Sequence, residues 1–99
     1  MYGTVARMRV RPGAHDQLLQ QLRDFEAIHV PGFVATYVYQ TDADPNDYYM
    51  AVLFETKAAY DANAESAEQN ARYQQMRALL ESDPEWHDGV VVSGGAGAG

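Results

Sequence analysis

Cysteine is absent from the 99 residues, and lysine occurs once, at position 57. The first absence excludes disulfides, thiolate metal sites and a cysteine nucleophile, and makes an intracellular, cytoplasmic protein the simplest expectation. The second speaks against nucleic acid, because a phosphate-tracking surface needs a basic stripe. Long apolar runs are missing too, so no segment is built to span a membrane. The opening MYGTVARMRV alternates and carries arginines where a signal peptide would carry an apolar block.

What is present describes one globular domain. Apolar residues make up 46% and charged residues 21%, with a net charge of −7. The charge is uneven. Residues 1–23 hold Arg7, Arg9, Arg11 and Arg23 against Asp16, whereas the remainder holds three basic residues against thirteen acidic ones.

Period-two alternation predicts a strand over Tyr2–Arg11, with Thr4, Ala6 and Met8 on one face and Val5, Arg7 and Arg9 on the other. Pro12-Gly13 ends it. Leu18, Leu22 and Phe25 recur at helical spacing and predict a helix over Ala14–His29, stopped by Val30-Pro31-Gly32. Phe33–Thr41 and Tyr48–Glu55 read as a hairpin across a polar turn, with Tyr37 and Tyr39 on the same face as Phe33. Thr56 caps a short helix over Lys57–Ala64. Ser66, with Gln69 in capping-box register, opens another. Trp86–Ser93 reads as the last strand.

The order β-α-β-β-α-β, with its second helix split, is the ferredoxin-like α+β arrangement: helices on one face of a four-stranded antiparallel sheet. The expected domain is 1–93, followed by a flexible Gly/Ala tail over 94–99. YYMAVLF, Tyr48–Phe54, and Val90–Val92 are apolar on both strand faces, while helices cover only one. A second copy is the simplest cover, so a homodimer formed through the sheet is expected.

The opening strand ending in RVRPG (Arg9–Gly13), the helix followed by HVPGF (His29–Phe33), YYMAVLFET (Tyr48–Thr56) and the closing DPEWHDG (Asp83–Gly89) resemble the antibiotic biosynthesis monooxygenase (ABM) domain family of the dimeric α/β-barrel superfamily. The resemblance spans about residues 2–93. It implies a sheet-paired dimer with a cavity between the helices and the sheet of each subunit. It also implies a cofactor-independent oxygenase acting on a phenolic or quinol-like aromatic small molecule. The haem-degrading branch places a helix His, an Asn and a Trp around iron. Lys57–Ser82 contains neither His nor Trp, so no haem or other cofactor is expected; Asn63, Asn70 and Tyr73 are the polar candidates there.

The residues themselves offer chemistry of modest specificity. His87 is the best-placed general base of DPEWHDG, and Arg9 a candidate to hold a phenolate; Tyr37, Trp86 and Tyr73 would shape the pocket. Each has a plainer reading. Trp86 and the tyrosines serve as core or interface, and His87 as an ordinary strand histidine facing away from Trp86, since adjacent strand positions alternate. Arg7, Arg9 and Arg11 would find acidic partners in a dimer interface, His29 would sit on a helix dipole, and His15 would be solvated. The three histidines form no metal-ligand spacing. Asp42, Asp44 and Asn46 imitate a calcium loop, but Asp47 and Leu53 stand where the loop needs Gly and Glu, so no metal is expected. A non-enzymatic, ligand-binding or stress-associated dimer is the alternative. A titratable group inside the cavity would argue against it, and a filled core would leave only a structural dimer.

Overall fold

Alternation along the first strand organises the sheet. In the computed structural model, which describes residues 1–97, β1 spans Tyr2–Arg9. The other elements are α1 (His15–Glu26), β2 (Phe33–Gln40), β3 (Asp47–Phe54), α2 (Lys57–Ala64), α3 (Ala67–Arg77) and β4 (Glu85–Val90). The four strands form one antiparallel sheet in the order β2-β3-β1-β4. This is the ferredoxin-like α+β arrangement.

Several boundaries differ from the sequence expectation. α1 stops at Glu26 rather than His29, its last turn tightening so that the Ile28 amide bonds the Phe25 carbonyl at 3.0 Å. His29 therefore lies beyond the last turn. β4 ends at Val90; the Val91 amide still bonds the Met1 carbonyl at 2.9 Å, and Val92 is 95% exposed. The tail expected over 94–99 falls partly outside the described residues, at Ala98 and Gly99.

Both expected caps form on α2 and α3. Thr56 Oγ1 accepts from the Ala59 amide at 3.1 Å, and Ser66 Oγ from the Gln69 amide at 3.1 Å. The capping box is only half made, however. The Gln69 side chain turns away from Ser66 and accepts from Arg72 Nε at 3.1 Å.

The core occupies one half of the helix–sheet layer. Ala6, Met8, Val10, Ala14, Leu18, Tyr48, Met50 and Leu80 form its buried cluster. Fully burying a side chain such as Leu18 contributes about 1.5–3 kcal/mol. The Tyr48 hydroxyl is met by His15 Nδ1 and by Gln40 Nε2, which ties the start of α1 to the β2–β3 hairpin, so His15 is not simply solvated. Neither α2 nor α3 contains a buried residue. These helices roof the other half of the sheet and meet it through separate side-chain contacts, such as Tyr60 against Tyr2 and Phe54.

The face away from the helices carries Val5, Tyr37 and Tyr39, exposed by 47%, 68% and 57%. The expected alignment of Phe33 with Tyr37 fails at an irregularity between Phe33 and Ala35. The extra residue rotates Phe33 to the helix side, where it meets Phe25 and Phe54 edge-on. The arginines of this face find partners within the chain. Arg7 binds Asp47 with two hydrogen bonds, at 2.9 and 3.1 Å, and Arg9 pairs with Asp44 at 3.2 Å.

Candidate active site

Because α2 and α3 stand off the sheet, a cavity of about 750 Å3 opens beneath them. That volume accommodates a fused-ring aromatic molecule. Its floor is the helix-facing side of the sheet: Thr4 on β1, Thr36 on β2, Met50, Val52 and Phe54 on β3, Trp86 and Asp88 on β4. One wall is the C-terminal half of α1, with Leu22 and Phe25, and Ile28 just beyond it. The roof is α2 and α3, with Tyr60, Asn63, Asn70, Arg72, Tyr73 and Met76. The floor residues recur every second position, as strand geometry demands. Tyr60 and Asn63 are one helical turn apart and share a face.

The charged centre of the roof is Arg72. Its guanidinium lies 5.3 Å from the ring centroid of Phe25, Nε donates to Gln69 Oε1, and Nη2 reaches Asn63 Oδ1 at 3.5 Å. With Oδ1 turned to Arg72, the Asn63 amide NH2 remains free to donate. A cation and an amide donor at an apolar wall are suited to holding an oxyanion, such as a phenolate. Tyr73 lies against Trp86 with ring centroids 6.2 Å apart and an interplanar angle of 49°. Together they supply an angled aromatic surface.

At the other side of the roof, the Tyr60 hydroxyl donates to Asp88 Oδ1 at 3.0 Å. Burial first, and the Asp88 carboxylate second, push the phenol up to about 12, so Tyr60 is a neutral donor throughout the physiological range.

The residues expected from sequence separate onto two faces. Trp86 and Tyr73 line the cavity. His87 pairs in register with Val5, on the opposite face of the sheet from Trp86. Arg9 and Tyr37 lie on that same outer face, Arg9 against Asp44 and Tyr37 in solvent. The chain's own cavity is thus lined without His87, Arg9 or Tyr37. Arg72, Tyr60, Thr4 and Asp88 did not stand out in the sequence; the i, i+3 pair Tyr60/Asn63 and the i, i+2 pair Trp86/Asp88 were the available signals. Among the described residues, no cluster of three His, Asp or Glu side chains could hold a metal ion, and the Asp42–Asn46 segment forms an ordinary turn in which Asp44 Oδ1 accepts from the Asn46 amide. Among the described residues no helix is long and apolar enough to cross a membrane.

This fold has counterparts among known proteins. Residues 1–78 match the family described as antibiotic biosynthesis monooxygenase, and the chain belongs to that family. Among solved structures, it is similar to a presumed antibiotic biosynthesis monooxygenase from Chloroflexus aurantiacus J-10-fl, at 28% identity and a TM-score of 0.78, covering 99% of this chain and 98% of that one. It shares its fold with SnoaB, a cofactor-independent oxygenase from Streptomyces nogalater, at 18% identity and a TM-score of 0.82, with 94% of each chain covered. The same holds for a conserved protein from Methanosarcina mazei Go1, at 17% identity and a TM-score of 0.77, with 88% of each covered. No curated protein sequence matches the chain.

Proposed function

We propose that the protein is a cofactor-independent monooxygenase acting on an electron-rich, polycyclic phenol or quinol. The observation that carries this reading is the placement of Arg72, the cation among the lining residues, with Asn63 beside it, on the roof of a largely apolar, aromatic-lined cavity. The family membership and the fold shared with SnoaB support the same reaction class.

In this mechanism the ring system packs against Tyr73 and Trp86, and its hydroxyl faces Arg72 and the Asn63 amide. Stabilising the phenolate makes the ring a better reductant at a cost the protein has already met by fixing both donors in place. Enolisation turns the benzylic CH2 into CH, so the anion carries charge at that carbon; it transfers an electron to O2, the resulting pair combines there, the peroxide takes a proton back from solvent, and the hydroperoxide loses water. The balance is CH2 + O2 → C=O + H2O; the substrate supplies all the electrons. The proton released on ionisation passes to water at the open mouth of the cavity.

We also propose that the chain works as a homodimer joined through the outer sheet faces. Val5, Tyr37 and Tyr39 form an apolar patch there, and self-association is the economical way to cover it. Arg9 and His87 would then lie at that interface.

Oxygen uptake by the chelator-treated protein with 1,8-dihydroxyanthrone and a series of hydroquinones tests the activity. Uptake above the autoxidation blank, reduced about 100-fold in Arg72→Ala, is expected. Uptake that survives Arg72→Ala but is lost in His87→Ala or Arg9→Ala would move the site to the outer face.

A further inference from the structure

Thr4 stands apart from the polar residues around it. It is only 5% exposed, in the middle of β1, and its Oγ1 is a buried side-chain oxygen without a hydrogen-bond partner among the described residues. Buried hydroxyls are nearly always satisfied, because leaving one unpaired forfeits its interaction with water. Thr4 lines the cavity floor, with its hydroxyl just beneath the surface of the space a ligand would fill.

Two neighbours give that hydroxyl a context. Thr4 is paired in register with Asp88 on β4, so both side chains rise from the same face of adjacent strands. Tyr60 reaches down from α2 and donates its proton to Asp88 Oδ1 at 3.0 Å. Thr4 lies near enough to Tyr60 to favour its phenolate slightly, though the two hydroxyls are not hydrogen-bonded. The accounting is then definite. The Tyr60 proton is committed to Asp88, and the Thr4 proton is free. Asp88 Oδ2 and the lone pairs of the Tyr60 oxygen are free to accept. A group that meets all of these must both accept one hydrogen bond and donate another. An alcohol or phenol hydroxyl does so; a carboxylate can only accept and would face the Asp88 charge.

We propose that Thr4, Tyr60 and Asp88 form a second polar subsite in the cavity, which takes an uncharged hydroxyl group of the ligand and rejects a carboxylate at that position. The proposal rests on reading the cavity as a site for fused aromatic rings. It adds that the ligand is polar at two places, with an ionisable hydroxyl at Arg72 and Asn63 and a neutral one at this floor subsite.

The single tryptophan of the chain, Trp86, lines the same cavity and reports occupancy by fluorescence quenching. The probes are 2-(hydroxymethyl)anthraquinone and anthraquinone-2-carboxylate, which share a ring system and differ in the group offered to the subsite. The full chain is expected to bind the hydroxymethyl compound about tenfold more tightly, from the repulsion between two carboxylates in a partly desolvated site. Asp88→Asn, on an exposed edge strand, is expected to bring the two affinities within about twofold by strengthening carboxylate binding. The near-isosteric Thr4→Val is expected to weaken the hydroxymethyl compound about fivefold and leave the carboxylate unchanged. Equal affinities in the unsubstituted protein, or a preference untouched by Asp88→Asn and Thr4→Val, would overturn the subsite while leaving an aromatic-binding cavity in place. Failure of both probes to quench Trp86 would overturn the cavity reading and the subsite with it.

Discussion

Tyr73 on α3 lies against Trp86 on β4, with ring centroids 6.2 Å apart, and this contact joins the cavity's roof to its floor. Neither residue belongs to the buried core: Trp86 remains 43% exposed. An aromatic pair held outside the core, on the rim of a cavity, offers its surface to something other than the chain itself. Tyr73→Ala is therefore expected to cost little stability, less than about 1 kcal/mol. It should shift Trp86 emission to the red and raise KM for an anthrone about tenfold, with a smaller change in kcat. Unchanged emission and kinetics would show that the pair has no part in the site.

Arg72 is held by shape as well as charge. Its planar fork spans Gln69 and Asn63 while its face covers Phe25. A lysine keeps the charge but cannot stack or bridge two side chains. Arg72→Lys is accordingly expected to recover less than about a tenth of the oxygenase activity that Arg72→Ala loses. Full recovery, measured as kcat/KM for oxygen uptake, would reduce Arg72 to a source of positive field.

Tyr37 and Tyr39 side by side on the outer sheet face make the dimer testable without disturbing the fold. Tyr37 is 68% exposed in the single chain, so Tyr37→Asp removes no core contact. Two such aspartates brought together across a sheet-to-sheet interface would be uncompensated charges in a desolvated position. Light scattering should then show a dimer for the unsubstituted chain and a folded monomer for Tyr37→Asp. A monomer in both cases would refute self-association through this face.

Much of the fold was legible because each element carries its own local instruction. Thr56 and Ser66 mark the starts of α2 and α3, and Thr4, Ala6 and Met8 alternate against Val5, Arg7 and Arg9. The boundaries that slipped depend on contacts between elements. The irregularity at Phe33/Ala35 rotates Phe33 away from Tyr37, and Val92 reads as strand but lies beyond the end of β4. The site was harder to read for the same reason. Trp86 and Tyr73 are conspicuous by residue type, whereas Arg72 and Tyr60 sit on helices with no buried residue, where hydrophobic periodicity is weakest. Thr4 follows the pattern of an ordinary core position. That its hydroxyl lacks a partner depends on side chains from β4 and α2, which the sequence does not bring together.

Gly32 is fixed by both conformation and space. Its φ is +77°, a left-handed value that side chains resist, and a Cβ there would stand 2.5 Å from the Ala59 Cβ of α2. Its carbonyl also accepts from the Glu55 amide at 2.8 Å, locking the turn before β2 to the end of β3. Gly32→Ala is expected to destabilise the protein by about 2–3 kcal/mol and to move α2, one roof of the cavity. Chemical denaturation measures the first effect and quenching of Trp86 by the hydroxymethyl probe the second. A stability loss under about 0.5 kcal/mol would mean that the turn and α2 adjust freely.

Asp47 sets the acid limit of the sheet. The hydrogen bonds from Arg7 hold its carboxyl below the usual value of 3.8; desolvation opposes this, and the charges of Arg7 and Arg9 add to the lowering. A depressed carboxylate binds protons more readily in the unfolded chain than in the folded one. Its contribution is therefore fully present above the unfolded value and is lost as pH falls from about 4 through the lower, folded value. Asp47→Asn should lower Tm by several degrees at pH 7, and the gap from the unsubstituted protein should close as the pH is brought below 3. Melting curves taken from pH 7 down to pH 2 check this. A gap that persists undiminished at the acid end would assign the loss to packing at the start of β3 and not to the ion pair with Arg7.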